Sequence, residues 1–181
     1  MKTDIYEINT SSFQSVEKDF ELIVSKMLKN ETLKKLLFYQ SADCLQKPDL
    51  TQLETIGLIN RNIRLIPKLD VDPDAMSYII ITLDNFLPNQ ENPDFRDNII
   101  SFDILCHFDT WGLGDYKLRP YKILGELDGM FNNKHLTGIG TLNFISANQL
   151  LLSDDLGGFT LMYRAVHGDE DKVQTGGNLI G

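Results

Sequence analysis

The sequence predicts an α+β fold, a mostly antiparallel four- to five-stranded sheet flanked by helices. Three observations carry this. The first third of the chain repeats apolar residues at helical spacing, and most of the remainder repeats them at a period of two. A single amphipathic helix, residues 119–133, stands among the later strands. Consecutive strands with short links argue for antiparallel pairing, with the amphipathic helix covering one face.

The elements follow in order. Residues 1–12, polar and mixed, read as an N-terminal arm. A helix then begins near Ser12 or Ser15 and carries Phe20, Ile23, Val24, Met27 and Leu28, one stripe at i, i+3, i+4, i+7, i+8. Asn30 breaks it, and TLKKLLFY forms a second short helix with Leu33, Leu36 and Leu37 inward. Residues 44–60 are a connector with room for a helical turn. NIRLIPKL and MSYIIITLDNFLP read as strands, the second rich in β-branched residues. NQENPDFRDN is a loop crowded with Asn, Asp and Pro.

The cleanest alternation is IISFDILCHFDTW. It sends Ile100, Phe102, Ile104, Cys106 and Phe108 one way, and Ser101, Asp103, Leu105, His107 and Asp109 the other. RPYKILGELDGMFNN opens with Pro120 in its first turn, where a missing N–H costs little. Its stripe is Ile123, Leu124, Leu127, Met130 and Phe131. GTLNFISA and GFTLMYRAV are two further strands, joined by QLLLSDDLGG. The expected organisation is a single α+β domain over 13–167, helical over 13–60 and sheet with one packing helix over 61–167. A C-terminal tail follows at 168–181.

Composition narrows the functional classes. The chain has 181 residues, 42% hydrophobic and 24% charged, which is ordinary for one globular domain. The net charge of −9 argues against a nonspecific grip on nucleic-acid phosphates, which needs clustered Lys and Arg. It suits solubility, or a wall that repels DNA. Cys44 and Cys106 form no CxxC, and Cys106 sits in an apolar alternation, so a buried free thiol at Cys106, rather than a disulfide or metal ligand, and a reducing compartment are expected. The opening MKTDIYEINTSSF has no apolar core of a signal peptide, and no apolar run reaches about 18 residues, so no membrane partner is expected.

Candidate chemistry is thin. Asp103, His107 and Asp109 share one strand face and could offer two oxygens and a nitrogen to a divalent metal, but a polar outward face is what any half-buried strand shows. NPDFRDNIISFDIL is similar to the Pro-Asp before a metal-binding strand in some nucleases, yet their acidic-x-Lys element is missing downstream. Asp94 and Asp97 therefore read as turn formers. GLGD, GIG and GG lack the strand–GxGxxG–helix context of a dinucleotide site, and GxxxxGK[ST], GxSxG and HExxH are absent. No histidine stands beside a serine or cysteine at a nucleophile's spacing, and His135 reads as a cation at a helix end. The expectation is no catalytic residue, no cofactor and no metal. Trp111 and Tyr116 flank a glycine turn, either as an exposed partner anchor or as a corner of the core. Gly125 and Gly129, four apart on one helix flank, suggest close approach of the sheet or of another subunit.

From Arg96 to His167 the chain resembles the small neck proteins of tailed bacteriophages, especially tail terminators (tail-completion proteins). FRDNIISFDILCHFDTW, RPYKILGELDGMFNNKHLTGIGTLNFIS and GFTLMYRAVHG carry the resemblance, following a pattern of strand, helix, LTGxGxL link and final strand pair. The helical part, 15–60, departs from the smallest members. The resemblance implies a tail-terminator-like sheet assembled as a homo-oligomeric ring, a hexamer. Such a ring joins the tail tube protein to the head-completion and connector proteins, and DNA passes through without specific binding. It implies a location in the neck of the virion, after assembly in the host cytoplasm. Trp111, Tyr116, Gly125 and Gly129 are then interface candidates. The alternatives are a head-completion (stopper or adaptor) protein and, in another class, a metal-dependent nuclease or hydrolase using Asp103, His107 and Asp109.

Overall fold

A computed structural model describes residues 16–66, 77–90, 96–136 and 139–167. The expected arm 1–12, the tail 168–181, the link between the first two expected strands and Asp94 lie outside these residues. The helical part opens with α1 (Val16–Leu28), which buries Ile23 and Met27 one turn apart. Asn30 ends that helix and starts the next. Its side-chain oxygen accepts the Leu33 N–H at 2.9 Å and caps α2 (Glu31–Phe38), which buries Leu33, Leu36 and Leu37. The connector contains a capped helix, α3 (Gln52–Gly57), where Thr51 and Glu54 form a reciprocal capping box.

The strands are β1 (Ile63–Arg64), β2 (Ser77–Pro88), β3 (Arg96–His107), β4 (His135–Leu136), β5 (Gly140–Thr141), β6 (Asn143–Leu151) and β7 (Leu156–His167), with α4 (Arg119–Phe131) between β3 and β4. Five of them form a sheet in the order β1-β2-β3-β7-β6, while β4 and β5 make a separate small ribbon. The β2/β3, β3/β7 and β6/β7 pairs are antiparallel, as expected. The β1/β2 pair is parallel. The stretch from Arg64 to Ser77 is long enough to return the chain to the same end of the sheet, which a hairpin turn would not do. In the described part of the expected strand 62–69, the pairing is limited to Ile63 and Arg64.

The core lies on one face of the sheet. Ile79 and Ile81 of β2, Ile100, Phe102, Ile104 and Cys106 of β3, and Leu161, Tyr163 and Ala165 of β7 join Ile123, Leu127 and Phe131 of α4 in a single buried cluster that also takes in the apolar residues of α1 and α2. Phe131 stacks on Phe102 at 5.0 Å between ring centres, and Phe102 meets Tyr163 edge-on at 6.1 Å. The alternation read in β3 ends at His107. Phe108 begins a 3-10 turn and is 36% exposed instead of facing the core. The opposite face of β3 is less polar than its letters suggest, because Leu105 is buried with Tyr78 and Ile80 in a second, smaller cluster.

Four boundaries move. β3 begins at Arg96, so Asp97 belongs to a strand and not to a turn: it accepts from Asn89 Nδ2 at 2.7 Å and pairs with Arg164. The expected strand 140–147 divides at buried Leu142, whose N–H donates to Lys134 O at 3.1 Å while its carbonyl accepts from Asn133 N–H at 2.8 Å. β6 then runs on through QLL, which had read as connection. Gly157 and Gly158 belong to β7: a Cβ on Gly158 would lie 2.0 Å from the Ile104 carbonyl oxygen, so that approach of strands requires glycine.

Candidate functional site

The corner between β3 and α4 is the most elaborate polar feature among the described residues. β3 ends at His107, whose Nδ1 accepts the Asp109 N–H at 3.3 Å, and Thr110 Oγ1 donates to His107 O at 2.8 Å. Trp111 turns back over this bend, donating Nε1–H to Cys106 O at 3.1 Å with its ring 5.1 Å from Phe108. Trp111 O accepts the Arg119 N–H at 2.7 Å, and α4 begins.

Arg119 is 0% exposed. Its Nε donates to Thr110 O at 2.8 Å. One terminal nitrogen donates to Leu36 O at 2.6 Å and Tyr39 O at 2.7 Å, and the other to Gln40 O at 3.0 Å and Ser41 O at 2.9 Å. A guanidinium has five N–H donors, and each meets a backbone carbonyl. Most of those carbonyls belong to the C-terminal end of α2 and the residues after it, where the helix dipole is negative, so the cation is compensated without a carboxylate. Arg119 therefore fastens the helical part to the sheet part. Sequence reasoning missed this role, although a signal was present: an arginine in the first turn of its own helix opposes that helix's dipole, so its favourable partner must lie elsewhere.

The interface candidates fall in different settings. Trp111 is half-buried and hydrogen-bonded, a corner of the core. Tyr116 is fully exposed and stands on a left-handed turn formed with Gly114 and Asp115, all three at positive φ. The Lys117 N–H to Gly114 O bond of 2.9 Å and the Leu113 N–H to Lys117 O bond of 3.0 Å hold that turn in place. A tyrosine in this conformation carries strain that the surrounding bonds must hold. Gly125 and Gly129 are exposed, and a Cβ on either meets nothing within 4 Å. The sheet is therefore not what they approach, and among the described residues they permit no close contact.

The metal trio is not assembled. Asp103 Oδ1 accepts from Thr160 Oγ1 at 2.6 Å in the middle of the sheet, while exposed Asp109 lies past the strand end, 3.5 Å from His107 Nδ1. Among the described residues no three His, Cys, Asp or Glu side chains converge. His135 caps no helix. α4 ends at Phe131 with Asn132 as its cap, and His135 sits in β4 with Nδ1 3.5 Å from Thr141 Oγ1. Cys106 is buried and free, as expected, and so is Cys44. Burial pushes the Cys106 thiol up to about 11, against a Ser77 bond and the Arg119 charge, and burial likewise raises Cys44. Such thiols are poor nucleophiles at neutral pH. Burial, then the Asp128 carboxylate that accepts its hydroxyl at 2.9 Å, raises the Tyr163 phenol.

Two surfaces were not anticipated. A groove of about 730 Å³ runs beside α1, lined by Phe20, Val24, Leu28, Ile59 and Leu65, with Glu17 and Glu21 on its lining. The α1 stripe was legible, but only Ile23 and Met27 of it are fully buried. The second surface is the outer edge of β6, the last strand of the sheet among the described residues. Among the described residues no helix is long and apolar enough to cross a membrane.

The fold and this corner define a two-layer α+β chain whose main polar centre is spent on holding the architecture. Residues 30–165 match the profile of the YomW family, and the chain belongs to that family, whose name is a bacteriophage- and prophage-associated one. No curated protein and no solved structure matches the chain.

Proposed function

We propose that this chain is a ring-forming tail-terminator (neck) subunit of a tailed bacteriophage, joining the tail tube to the head connector around the DNA channel and catalysing nothing itself. Membership of a phage-associated family over residues 30–165 is the observation that carries the reading. The three stretches that resemble tail terminators supply β3, the run from α4 to β6, and β7, which together make the centre and one edge of the sheet. A net charge of −9 lets DNA slide past without sticking, since like charges repel. Tyr116, projecting from a pinned turn, is the side chain best placed to meet a partner such as the tail tube or connector protein. Gly125 and Gly129 offer an open flank of α4 to a neighbouring subunit.

The test is electron microscopy with mass photometry of the purified chain, alone and mixed with tail-tube and connector proteins of the same phage. Rings of six, or rings formed on tube ends, are expected. A chain that stays monomeric and ignores both partners contradicts the reading.

A further inference from the structure

We infer that β6 is a self-pairing edge, through which two copies of this chain join their sheets antiparallel about a two-fold axis. An edge strand presents a row of unpaired N–H and C=O groups, and monomeric proteins guard such rows with charges, prolines, bulges or very short strands. The two edges of this sheet are treated differently. On one side, β1 covers only Ile79 and Ile80 of β2. The remainder of β2, which no other strand flanks on that side among the described residues, is guarded by exposed Asp84, by Asn85 at φ 53, by a register shift between Asp84 and Leu87, and by Pro88. On the other side, β6 reads NFISANQLL, with no charged residue and no proline, and none of its nine residues is buried. Its one irregularity lies between Phe144 and Ser146, so Ser146–Leu151 remain regular.

Apolar side chains rim this edge. By register Phe144 and Leu151 lie on the helix side of the sheet, 50% and 65% exposed, with Phe144 edge-on to Tyr163 at 6.3 Å. Two chains of charge −9 repel each other, and an uncharged strand is where that repulsion is least. The ends of β6 also differ in sign. Exposed Asp154 and Asp155 follow it, whereas its start lies beside exposed Lys134, whose carbonyl accepts the Leu142 N–H, and opposite Arg164, whose charge is already met by Asp97. Antiparallel pairing centred on Asn148 or Gln149 sets Asp154 and Asp155 of each copy toward the end of the strand where Lys134 of the other stands. That complementarity favours a second copy, offering the same strand, as occupant. The guarded β2 edge cannot serve as the partner strand, so the contact is isologous. It is distinct from the head-to-tail contact that closes a ring, and the two readings stand or fall separately.

Residues on the two-fold lie directly opposite their own copies, with Cα atoms about 4.5–5.5 Å apart, inside the Cα span a disulfide bridges. The experiment is sedimentation equilibrium of the full chain, with mild oxidation of Asn148→Cys, Gln149→Cys and a control, Gln52→Cys on exposed α3. Cys44 and Cys106 are buried and stay silent. Dimers are expected at micromolar concentration. One or both β6 cysteines should give a covalent dimer and the control should not. Gln149→Lys should weaken dimerisation by about tenfold or more, through like charges across the axis, at unchanged melting of the monomer. Monomeric wild-type protein, or β6 cysteines that cross-link no better than Gln52→Cys, overturns the inference. Six-fold rings without β6 cross-links would overturn it while leaving the neck reading intact, and cross-linked dimers indifferent to tail tube would do the reverse.

Discussion

The two ends of β3 are built on opposite terms. At the Cys106 end, every donor of a fully buried arginine finds a carbonyl, and the bend, the start of α4 and the end of α2 are tied together by it. At the Asn98 end, a residue 1% exposed and facing the core side of the sheet finds no hydrogen-bond partner for its amide nitrogen or oxygen among the described residues, and neither does the buried Oδ1 of Asn132, the cap of α4. A satisfied buried polar network fixes one arrangement, while an unsatisfied buried amide costs free energy. One strand therefore carries both the anchor of this fold and its weak point.

The largest effect expected from breaking that contrast is at Arg119. Arg119→Met removes the charge and leaves five carbonyls facing an apolar stem, which should cost about 3–5 kcal/mol in denaturant unfolding or prevent folding. Arg119→Lys offers three donors for five carbonyls and should also destabilise clearly. If either variant melts like the parent, the corner is not an anchor. Gly158→Ala, at the same end of β3, should cost about 3 kcal/mol, because the new Cβ meets the Ile104 carbonyl oxygen at 2.0 Å.

At the other end the sign reverses. Asn98→Val removes two unmet polar atoms and should stabilise by about 1–2 kcal/mol; a loss of that size would mean the amide is satisfied in the assembled protein. Tyr163→Phe, which removes the hydroxyl bonded to Asp128, should cost about 1 kcal/mol.

The ends should also differ in alkali. The folded Cys106 thiol holds its proton up to about 11, above its ordinary value of 9.0. Stability from this group is therefore complete below pH 9 and is lost as pH rises toward 11. Cys106→Ala should flatten that part of a melting-temperature profile, although Cys44 and Tyr163, also raised, keep some slope. An unchanged profile would rule Cys106 out as a source. The smallest effect is at the open helix flank, where Gly125→Ala and Gly129→Ala should each stabilise the monomer by up to about 1 kcal/mol, since nothing lies in the way of the added methyl.

Periodicity made the central elements legible. β3 and α4 were placed within a few residues because alternation over Ile100–Cys106 and the stripe from Ile123 to Phe131 are local signals of burial. The parallel β1, the division at Leu142 and the reach of β6 were not, since each depends on where a distant partner strand lies. The same holds for Arg119: its carbonyl partners at residues 36–41 are some 80 positions away in the chain, and a backbone carbonyl leaves no mark in the sequence. Of the interface candidates, Trp111 proved a bonded corner, because its indole N–H could reach the Cys106 carbonyl, and Tyr116 an exposed tip.

The central proposal is that this chain builds a joint in a phage neck. Native mass spectrometry of the chain with tail-tube protein from the same phage tests it most directly. The account predicts a discrete ring, six copies of the 20.6 kDa chain, bound to tube protein. A 20.6 kDa monomer that leaves the tube untouched at every concentration would contradict it.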